Sequence, residues 1–272
     1  MTMHVAFETQ GGSPERPNED WVSATPNTVV VLDGVTAPKV DNPGCRHSVT
    51  WFTENLGVRL LALLRGDQSI ADALAEAIGQ VNGLHRTGCN LHREDTPAAA
   101  VAVLRRRGGY LEYLVLADAA IVLDTKHGVK VFSDTRVESA APEALARVRA
   151  AGIGTAEHTE AVARLSREQL RKRNVPGGYW VASTRREAAR YALQGRISAE
   201  LVQRAAIFTD GASRAVDLFQ EMDWPGCLDY LDKHGPRGLI SYVREMEAKD
   251  PEGSRWPRFK ASDDATVAVI RV

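Results

Sequence analysis

Acidic residues stand at the ends of apolar runs, or directly before them, at four separate places in the sequence. These acidic segments are Asn18-Glu19-Asp20, Asp33-Gly34, Asp210-Gly211 and Asp263-Asp264. Val29–Leu32, directly before Asp33, is apolar and rich in β-branched residues, which is typical of a buried strand. A glycine after the aspartate permits a positive φ or the close approach of another backbone segment. Carboxylates repeated at strand ends predict a site where they converge on hard cations.

Such a site would support metal-assisted hydrolysis of a phosphate ester. Carboxylate oxygens completed by water suit Mg²⁺ or Mn²⁺ and disfavour thiophilic ions. Two ions about 4 Å apart can share one water molecule and lower its pKa toward neutrality, which yields a hydroxide nucleophile. An arginine would hold two phosphate oxygens through its planar fork. The sequence contains no Cys-x5-Arg loop that would indicate a cysteine nucleophile.

Each acidic segment taken alone has a simpler explanation. Asp33 and Asp210 can be turn residues, because aspartate and glycine are both common in turns. Asp20 can be a cap, and Asp263 with Asp264 can protect an edge strand against aggregation. The metal site is favoured because it explains all four segments at once, and because buried carboxylates need a cation as partner.

The composition excludes several classes of protein. The 272 residues are 44% hydrophobic, and 34 basic residues nearly balance 35 acidic residues. No overall charge would attract nucleic acid or an anionic membrane surface. Three cysteines are an odd, sparse set, which argues against a secreted disulfide scaffold. With no apolar run of about 18 residues and no signal sequence, a cytoplasmic protein is expected, and its oligomeric state stays open.

The strands are expected to form antiparallel pairs rather than a β-α-β series. A hairpin is predicted for Ala98–Leu104 and Tyr110–Leu116, with Gly108 and Gly109 at its turn. The remaining predicted strands are approximately 5–7, 21–24, 28–32, 119–124, 129–132, 179–182, 205–208 and 265–272. A loop with Pro38 and Pro43 is expected after Gly34.

Helix pairs are expected between these groups of strands. The predicted helices are approximately 45–64, 69–84, 142–173 (divided by Gly152 and Gly154), 185–193, 212–221, 224–234 and 236–248, with Ser69 capping the second. The pattern predicts an α+β fold, a four-layer α-β-β-α sandwich of two mainly antiparallel sheets flanked by helices. Val29–Leu32 would then be buried on both faces. No repeat or linker divides the chain, so residues 1–272 are interpreted as a single domain.

The ordered set of motifs resembles the metal-dependent protein phosphatases of type 2C, the PPM family, in its bacterial branch. The motifs that carry the resemblance are Arg16-Pro17-Asn18-Glu19-Asp20, Leu32-Asp33-Gly34, Ala117-Asp118-Ala119, Thr209-Asp210-Gly211 and Asp263-Asp264-Ala265-Thr266. Each motif alone is common, whereas their order along the chain is specific. The resemblance also implies the four-layer sandwich.

The resemblance implies a role for each matching residue. Two Mn²⁺ or Mg²⁺ ions would be held by four carboxylates, those of Asp20, Asp33, Asp210 and Asp263. Arg16 would bind the substrate phosphate. The residues implied to be catalytic are Arg16, Asp20, Asp33 and Asp210. The other implied metal contacts are the Gly34 carbonyl, Glu19 through water, and Asp118, which with Asp210 could hold a third ion.

Three departures from the family pattern affect these expectations. Arg16 lies one residue closer to Asp20 than the family's arginine does, so Arg46 or Arg214 could serve instead. Alanine flanks Asp118 where the family has Gly-Asp-Ser, which weakens the case for a third ion. Val35 stands where eukaryotic members often carry histidine, so metal-bound water would protonate the leaving group.

The expected activity is removal of phosphate from phosphoserine or phosphothreonine in proteins. A phosphatase of the same chemistry that acts on a small phosphate ester, and a catalytically silent binding module with the same fold, remain alternatives. Residues 137–178 lie where the family has a variable flap beside the active site, and this segment is expected to control substrate choice.

A second group of potential metal ligands lies outside these motifs. His85, Cys89 and His92 have a spacing that can recruit zinc. Three scattered candidates in one loop are more often structural or surface residues, and that interpretation is preferred.

Overall fold

Ten strands form two five-stranded antiparallel sheets in the computed structural model, which describes residues 2–35, 44–85 and 88–272. The strands are β1 (His4–Gln10), β2 (Trp21–Thr25), β3 (Thr28–Val35), β4 (Ala98–Arg107), β5 (Tyr110–Leu116), β6 (Ala120–Thr125), β7 (Gly128–Phe132), β8 (Leu193–Ser198), β9 (Val202–Phe208) and β10 (Ala265–Arg271). The first sheet has the order β1-β10-β9-β6-β7, and the second has the order β2-β3-β4-β5-β8. The predicted loop with Pro38 and Pro43 lies outside the described residues.

Helices cover the outer face of each sheet. They are α1 (Val49–Leu63), α2 (Ile70–Leu84), α3 (Arg136–Ser139), α4 (Pro142–Ala150), α5 (Ala156–Leu170), α6 (Asp210–Asp217) and α7 (Trp224–Lys249). Helices α1 and α2 pack on the second sheet, and α6 and α7 pack on the first sheet. No helix in the described ranges is long and apolar enough to span a bilayer.

The core is divided into layers by the two sheets. Alternate side chains of β3 point to opposite faces, as a strand requires. Val29 and Val31 join the core between the sheets, whereas Val30 and Leu32 join the core under α1 and α2. All four side chains are fully buried. The predicted four-layer α-β-β-α sandwich, with this strand buried on both faces, is therefore confirmed.

Several predicted element boundaries are wrong for local reasons. Helix α1 begins at Val49 rather than near Cys45, because the Ser48 side chain caps it by accepting a hydrogen bond from the Trp51 amide. The segment predicted as strand 179–182 makes only isolated bridges, one of them between Ala182 and Ala99. The helix predicted for 185–193 is a short 3-10 helix, Arg186–Tyr191, followed by β8.

The helical segment predicted at 142–173, with Gly152 and Gly154 dividing it, forms two helices, α4 and α5, that pack against each other on either side of these glycines. Their shared core contains Ala144, Val148 and Leu165, with Phe259 packed against it from the C-terminal loop. The Ile153 amide donates to the Glu252 carbonyl at 2.9 Å. The His158 imidazole Nε2 lies 3.1 Å from the Arg258 carbonyl oxygen. These contacts attach the segment to the loop that leads to Asp263.

Candidate metal centre

Asp33 and Asp210 meet where the two sheets end. Asp33 lies near the end of β3 in the second sheet, and Asp210 opens α6 directly after β9 in the first sheet. The Asp210 backbone amide donates a hydrogen bond to Asp33 Oδ2 at 3.2 Å. Two Asp-Gly corners that are 177 positions apart in the sequence therefore form one site.

Close backbone approaches fix the other acidic segments beside these corners. A Cβ atom at Gly34 would lie 2.5 Å from the Glu19 carbonyl oxygen, and one at Gly211 would lie 2.0 Å from the Asp264 carbonyl oxygen. Neither glycine has a positive φ. Of the two reasons for a glycine after the aspartate, a positive φ or a close backbone approach, the second therefore applies to Gly34. Any larger residue at either position would push the acidic segments apart.

Asp264 holds the segment before β2 against the start of β10. Its Oδ1 accepts from the Gly12 amide and its Oδ2 accepts from the Glu19 amide, both at 2.8 Å. Asp264 is not among the metal ligands predicted from the sequence. Its carboxylate is occupied by backbone donors and therefore positions Glu19 and Asp20.

Asp20 is the most buried of the predicted metal ligands. Its Oδ2 accepts hydrogen bonds from the Thr209 and Thr266 hydroxyls at 2.9 and 2.7 Å. Its Oδ1 is buried and has no hydrogen-bond partner among the residues that the structure describes. Burial raises the pKa of Asp20 well above its usual value, and the two threonines lower it in part. A buried carboxylate oxygen without a donor fits a cation ligand.

Like charges crowd around Asp33. Burial raises its pKa well above the usual range, and the carboxylates of Asp210, Asp20, Asp118 and Asp263 raise it further. Burial and Asp210 also raise the pKa of Asp118 to about 7. A divalent cation bound among these carboxylates would stabilise their charged forms against mutual repulsion. The donor set is entirely oxygen, so the residues present fit Mg²⁺ or Mn²⁺.

Asp210 is open to water on one side. Its carboxyl is exposed at the surface of the site, although protein surrounds its other sides. Burial and Asp263 raise its pKa to about 6, and Arg214 and Lys260 oppose that increase. Since the side chain is accessible, its desolvation is partial. The accessible side is the direction from which a phosphate ester can approach.

Asp118 stands at a strained corner between β5 and β6. The residue before it, Ala117, has φ of 67°, a left-handed conformation that is unfavourable for alanine by about 1–2 kcal/mol. The Ala117 carbonyl accepts from the Asp134 amide at 3.1 Å, which holds the corner. Glycine in the family pattern would avoid this strain. The corner nevertheless brings Asp118 into interaction range of Asp33 and Asp210. The charge of Asp118 raises the pKa of Asp33, and the charge of Asp210 raises the pKa of Asp118.

Asp263 differs from the other acids because two cationic side chains bind it. Lys260 Nζ donates to Asp263 Oδ1 at 2.7 Å, and Arg214 Nη2 donates to Oδ2 at 3.3 Å. Desolvation would lower the pKa of Lys260, but the carboxylates of Asp263, Asp210 and Asp33 raise it. Lys260 is not among the site residues predicted from the sequence. Its only sequence signal is a spacing of three residues before Asp263 in a polar loop.

The three candidate phosphate-binding arginines have different surroundings. Arg214 is buried and donates to Glu247 at 2.5 Å as well as to Asp263, so its guanidinium is already engaged. Arg46 is exposed and follows Cys45, at the start of the loop before α1. Arg16 is exposed and lines a pocket of about 40 Å³ together with Glu19, Lys260 and Asp263. Of the three, Arg16 therefore has the position that suits the predicted role.

The residues predicted from sequence thus occupy one neighbourhood. Glu19 abuts Gly34, Asp210 donates to Asp33, and Asp118 interacts electrostatically with both aspartates. Val35 packs against the core between the sheets and offers no proton donor. The arrangement can concentrate divalent cations beside the exposed Arg16 and the partly buried Lys260.

Solved protein phosphatases share this fold over the whole chain. The PPM Ser-Thr phosphatase MsPP from Mycobacterium smegmatis, in complex with cacodylate, has a TM-score of 0.58 at 14% identity, covering 100% of this chain and 99% of that chain. The catalytic domain of the serine threonine protein phosphatase PstP, in complex with 2 manganese ions, has a TM-score of 0.58 at 13% identity, covering 99% and 98%. Serine/threonine phosphatase Stp1 from Staphylococcus aureus has a TM-score of 0.60 at 11% identity, covering 100% and 96%.

No protein-family model matches the sequence, and no curated protein matches it. At these identities the structural similarity establishes the fold alone. The predicted resemblance to the bacterial PPM phosphatases is confirmed at that level.

Asp118 generates a prediction for the metal-free protein. Its folded-state pKa of about 7 lies above the unfolded value, so its contribution to stability is present at low pH and is lost as pH rises toward 7. Asp118→Asn removes that loss. In chelator, we expect wild type and variant to unfold at similar urea concentrations at about pH 4, and the variant to be more stable at about pH 8. The difference should be on the order of 2 kcal/mol, since solvent screens this partly exposed group. An equal difference in the free energy of unfolding at both pH values would show that folding does not raise the pKa of Asp118.

Lys260 generates a second prediction, because its ammonium group competes with a cation for Asp263. Lys260→Met should strengthen Mn²⁺ binding by a factor of about five, corresponding to on the order of 1 kcal/mol of removed repulsion. Isothermal titration of the metal-free protein measures the affinity. Lys233→Met, at an exposed position of α7, is the matched control and should leave the affinity unchanged. Weaker binding by the Lys260 variant would mean that Lys260 supports the metal site instead.

Proposed function

We propose that this protein is a metal-dependent phosphomonoester hydrolase that removes phosphate from phosphoserine and phosphothreonine in proteins. The observation that carries the proposal is the buried Asp20 Oδ1, which lacks a hydrogen-bond donor within the described ranges and lies in the same site as Asp33 and Asp210. The shared fold with PPM Ser/Thr phosphatases supports the same activity.

The metal ligands in this proposal are the acids of the candidate metal centre. Asp20, Asp33 and Asp210 would bind Mn²⁺ or Mg²⁺ directly, and Asp263 would bind after release of Lys260. The other contacts would be the Gly34 carbonyl, Glu19 through water, and Asp118 with Asp210 for a third ion. Bound ions would supply a water molecule of lowered pKa as nucleophile. PstP in complex with 2 manganese ions supports the choice of two ions.

The chain's own residues would position the substrate. Arg16 is exposed beside Glu19 and would hold two phosphate oxygens through its guanidinium, provided the shorter spacing to Asp20 is accommodated by the loop. Lys260 lies at the same pocket and would add positive charge near the phosphate. Thr209 and Thr266 hold Asp20 through Oδ2, which would leave its other oxygen available to a cation.

The shape of the site favours a protein substrate. The pocket lined by Arg16 and Lys260 has a volume of about 40 Å³, whereas sites that enclose small molecules usually measure roughly 300–1,000 Å³. A phosphorylated side chain can enter an open site while its backbone remains outside. Residues 137–178 are attached to the loop before Lys260 through Ile153 and His158, and we propose that they form a flap that selects among substrates.

One observation favours the alternative of a catalytically silent binding module. Lys260 and Arg214 already neutralise Asp263, so the protein supplies charge where a metal ion would otherwise do so. A protein with this arrangement could keep the fold and bind phosphorylated partners without hydrolysing them. A small-molecule phosphatase of the same chemistry is less favoured because of the small volume of the pocket beside Arg16.

Replacement of one ligand tests the activity. Asp33→Asn should reduce hydrolysis of p-nitrophenyl phosphate and of a phosphothreonine peptide by about a thousandfold, because it removes one of the carboxylates that would hold the ions. Excess chelator should abolish wild-type hydrolysis, and Mn²⁺ should restore it. The matched control is Asp67→Asn, whose carboxylate is fully exposed and should leave the rate unchanged.

The outcomes separate the three candidate functions. Preference for the peptide in kcat/KM supports the protein phosphatase, and preference for metabolite phosphates supports the small-molecule enzyme. Tight Mn²⁺ binding with no turnover of any ester supports the silent module. Wild-type hydrolysis that persists in chelator would refute metal dependence altogether.

A further inference from the structure

Two cysteines and two histidines converge in a place separate from the acidic site. Cys45 and His47 lie directly before α1, and His85 and Cys89 lie directly after α2. One potential ligand atom from each of the four residues lies within 4.8 Å of the others. The sequence spacing groups His85 and Cys89 with His92, but His92 is exposed and is not part of this cluster.

The distances match the edges of a tetrahedral zinc site. Cys45 Sγ lies 3.3 Å from Cys89 Sγ, 3.3 Å from His85 Nδ1 and 3.4 Å from His47 Nδ1. Cys89 Sγ lies 3.4 Å from His47 Nδ1. Zinc bonds of about 2.3 Å to sulfur and about 2.0 Å to nitrogen place tetrahedral ligands roughly 3.3–3.8 Å apart. Four of the six distances between ligand atoms therefore lie close to those of a tetrahedral zinc site, and the remaining two are no longer than 4.8 Å.

The alternative chemistry of the two thiols fits less well. A disulfide would bring the sulfur atoms to about 2.05 Å, much closer than the 3.3 Å observed here. A disulfide would also leave the convergence of two imidazole nitrogens on the same sulfur unexplained. Two thiolates and two neutral imidazoles make a closed set that suits zinc and offers no open position for substrate.

Neighbouring groups hold the ligands in this orientation. The His47 ring stacks on Trp51 of α1 with a centroid distance of 3.9 Å, and the His85 ring meets Trp51 edge-on at 4.9 Å. The His47 backbone amide points to Cys45 Sγ at 3.4 Å, a donor that suits a thiolate. These contacts order both histidines before any ion binds, which favours affinity.

A second set of contacts joins the two ligand-bearing loops. The Asn90 amide donates to the Gly44 carbonyl at 2.7 Å, and the Gly44 amide donates to Asp95 Oδ2 at 3.1 Å. Arg93 binds both Asp95 oxygens at 2.8 Å. The loop before α1 and the loop after α2 are thus held side by side where the four ligands meet.

We propose that Cys45, His47, His85 and Cys89 bind one structural zinc ion that fastens the start of α1 to the end of α2. Binding releases two thiol protons, so that two thiolates neutralise the ion. Sulfur and nitrogen ligands select zinc, whereas the acidic site offers oxygen alone and selects Mn²⁺ or Mg²⁺. The proposal does not depend on the proposed phosphatase activity, because none of the four residues belongs to the acidic site.

Metal analysis of the purified protein tests the proposal directly. After expression with zinc and purification with a reductant, elemental mass spectrometry should find about one zinc ion per chain. Cys45→Ser and Cys89→Ser should lose that zinc. His92→Ala, in the same loop, and Asp33→Asn, in the acidic site, should both retain it. Retention by the Asp33 variant separates this result from any outcome for the phosphatase.

A titration of stripped wild-type protein covers the case in which the cysteine variants fail to fold. Under reducing conditions, Co²⁺ should produce the visible absorption of a tetrahedral thiolate complex at one equivalent, and zinc should displace it. Loss of zinc should also lower the melting temperature of wild type. Absence of both the bound zinc and the cobalt absorption, or zinc that persists in both cysteine variants, would overturn the proposal. A Cys45–Cys89 disulfide detected by mass spectrometry in reductant-free, metal-replete protein would likewise overturn it.

Discussion

Electrostatic repulsion among carboxylates is the constraint on which the functional site depends. Asp33 lies within interaction range of Asp20, Asp118, Asp210 and Asp263, and burial adds to the free energy of ionising it. A protein that needed only stability would not gather these charges at one edge of its sheets. Protonation can relieve the repulsion at low pH, and a divalent cation can relieve it at neutral pH. The arrangement is therefore explained most simply by cation binding.

The two sheets make this crowding possible because they are rigid on both faces. Val29–Leu32 contributes side chains to two core layers, so β3 cannot shift without disturbing both. Strands β9 and β10 hold Asp210 and Asp263 in the other sheet, and Gly34 and Gly211 allow the acidic segments to approach without a side chain between them. Packing free energy distributed through the sandwich thus opposes the local repulsion.

The sequence predicts features that depend on local pattern. The apolar runs that end in Asp-Gly correctly predict Asp33 and Asp210 at the ends of β3 and β9. The hairpin around Gly108 is predicted because turn residues separate two apolar strands. Strand β8 was missed because no residue of Leu193–Ser198 is buried and most of them are not apolar, and because its pairing with β5 carries no local signal. Register and pairing partners depend on contacts distant in sequence.

Interactions between distant segments explain the site residues that were missed. Lys260 and Asp263 are neighbours in sequence, but Lys260 interacts with Asp210 and Asp33 because the C-terminal loop folds back onto the site. Asp264 likewise acts on backbone amides near residue 12 and residue 19. Cys45 and His47 stand about 40 positions before His85 and Cys89, and no spacing rule links the two pairs. Helices α1 and α2 bring them together by packing side by side. Ala117 shows a limit of motif comparison, since its left-handed backbone keeps the corner that glycine would form in the family.

Anomalous diffraction from a crystal soaked in Mn²⁺ tests the central claim most directly, because it locates the ions without reference to activity. The account predicts manganese peaks at about 2.2 Å from Asp20 Oδ1 and from the carboxylates of Asp33 and Asp210. Peaks confined to surface acids elsewhere, with Asp20 Oδ1 beyond bonding distance of any ion, would contradict it.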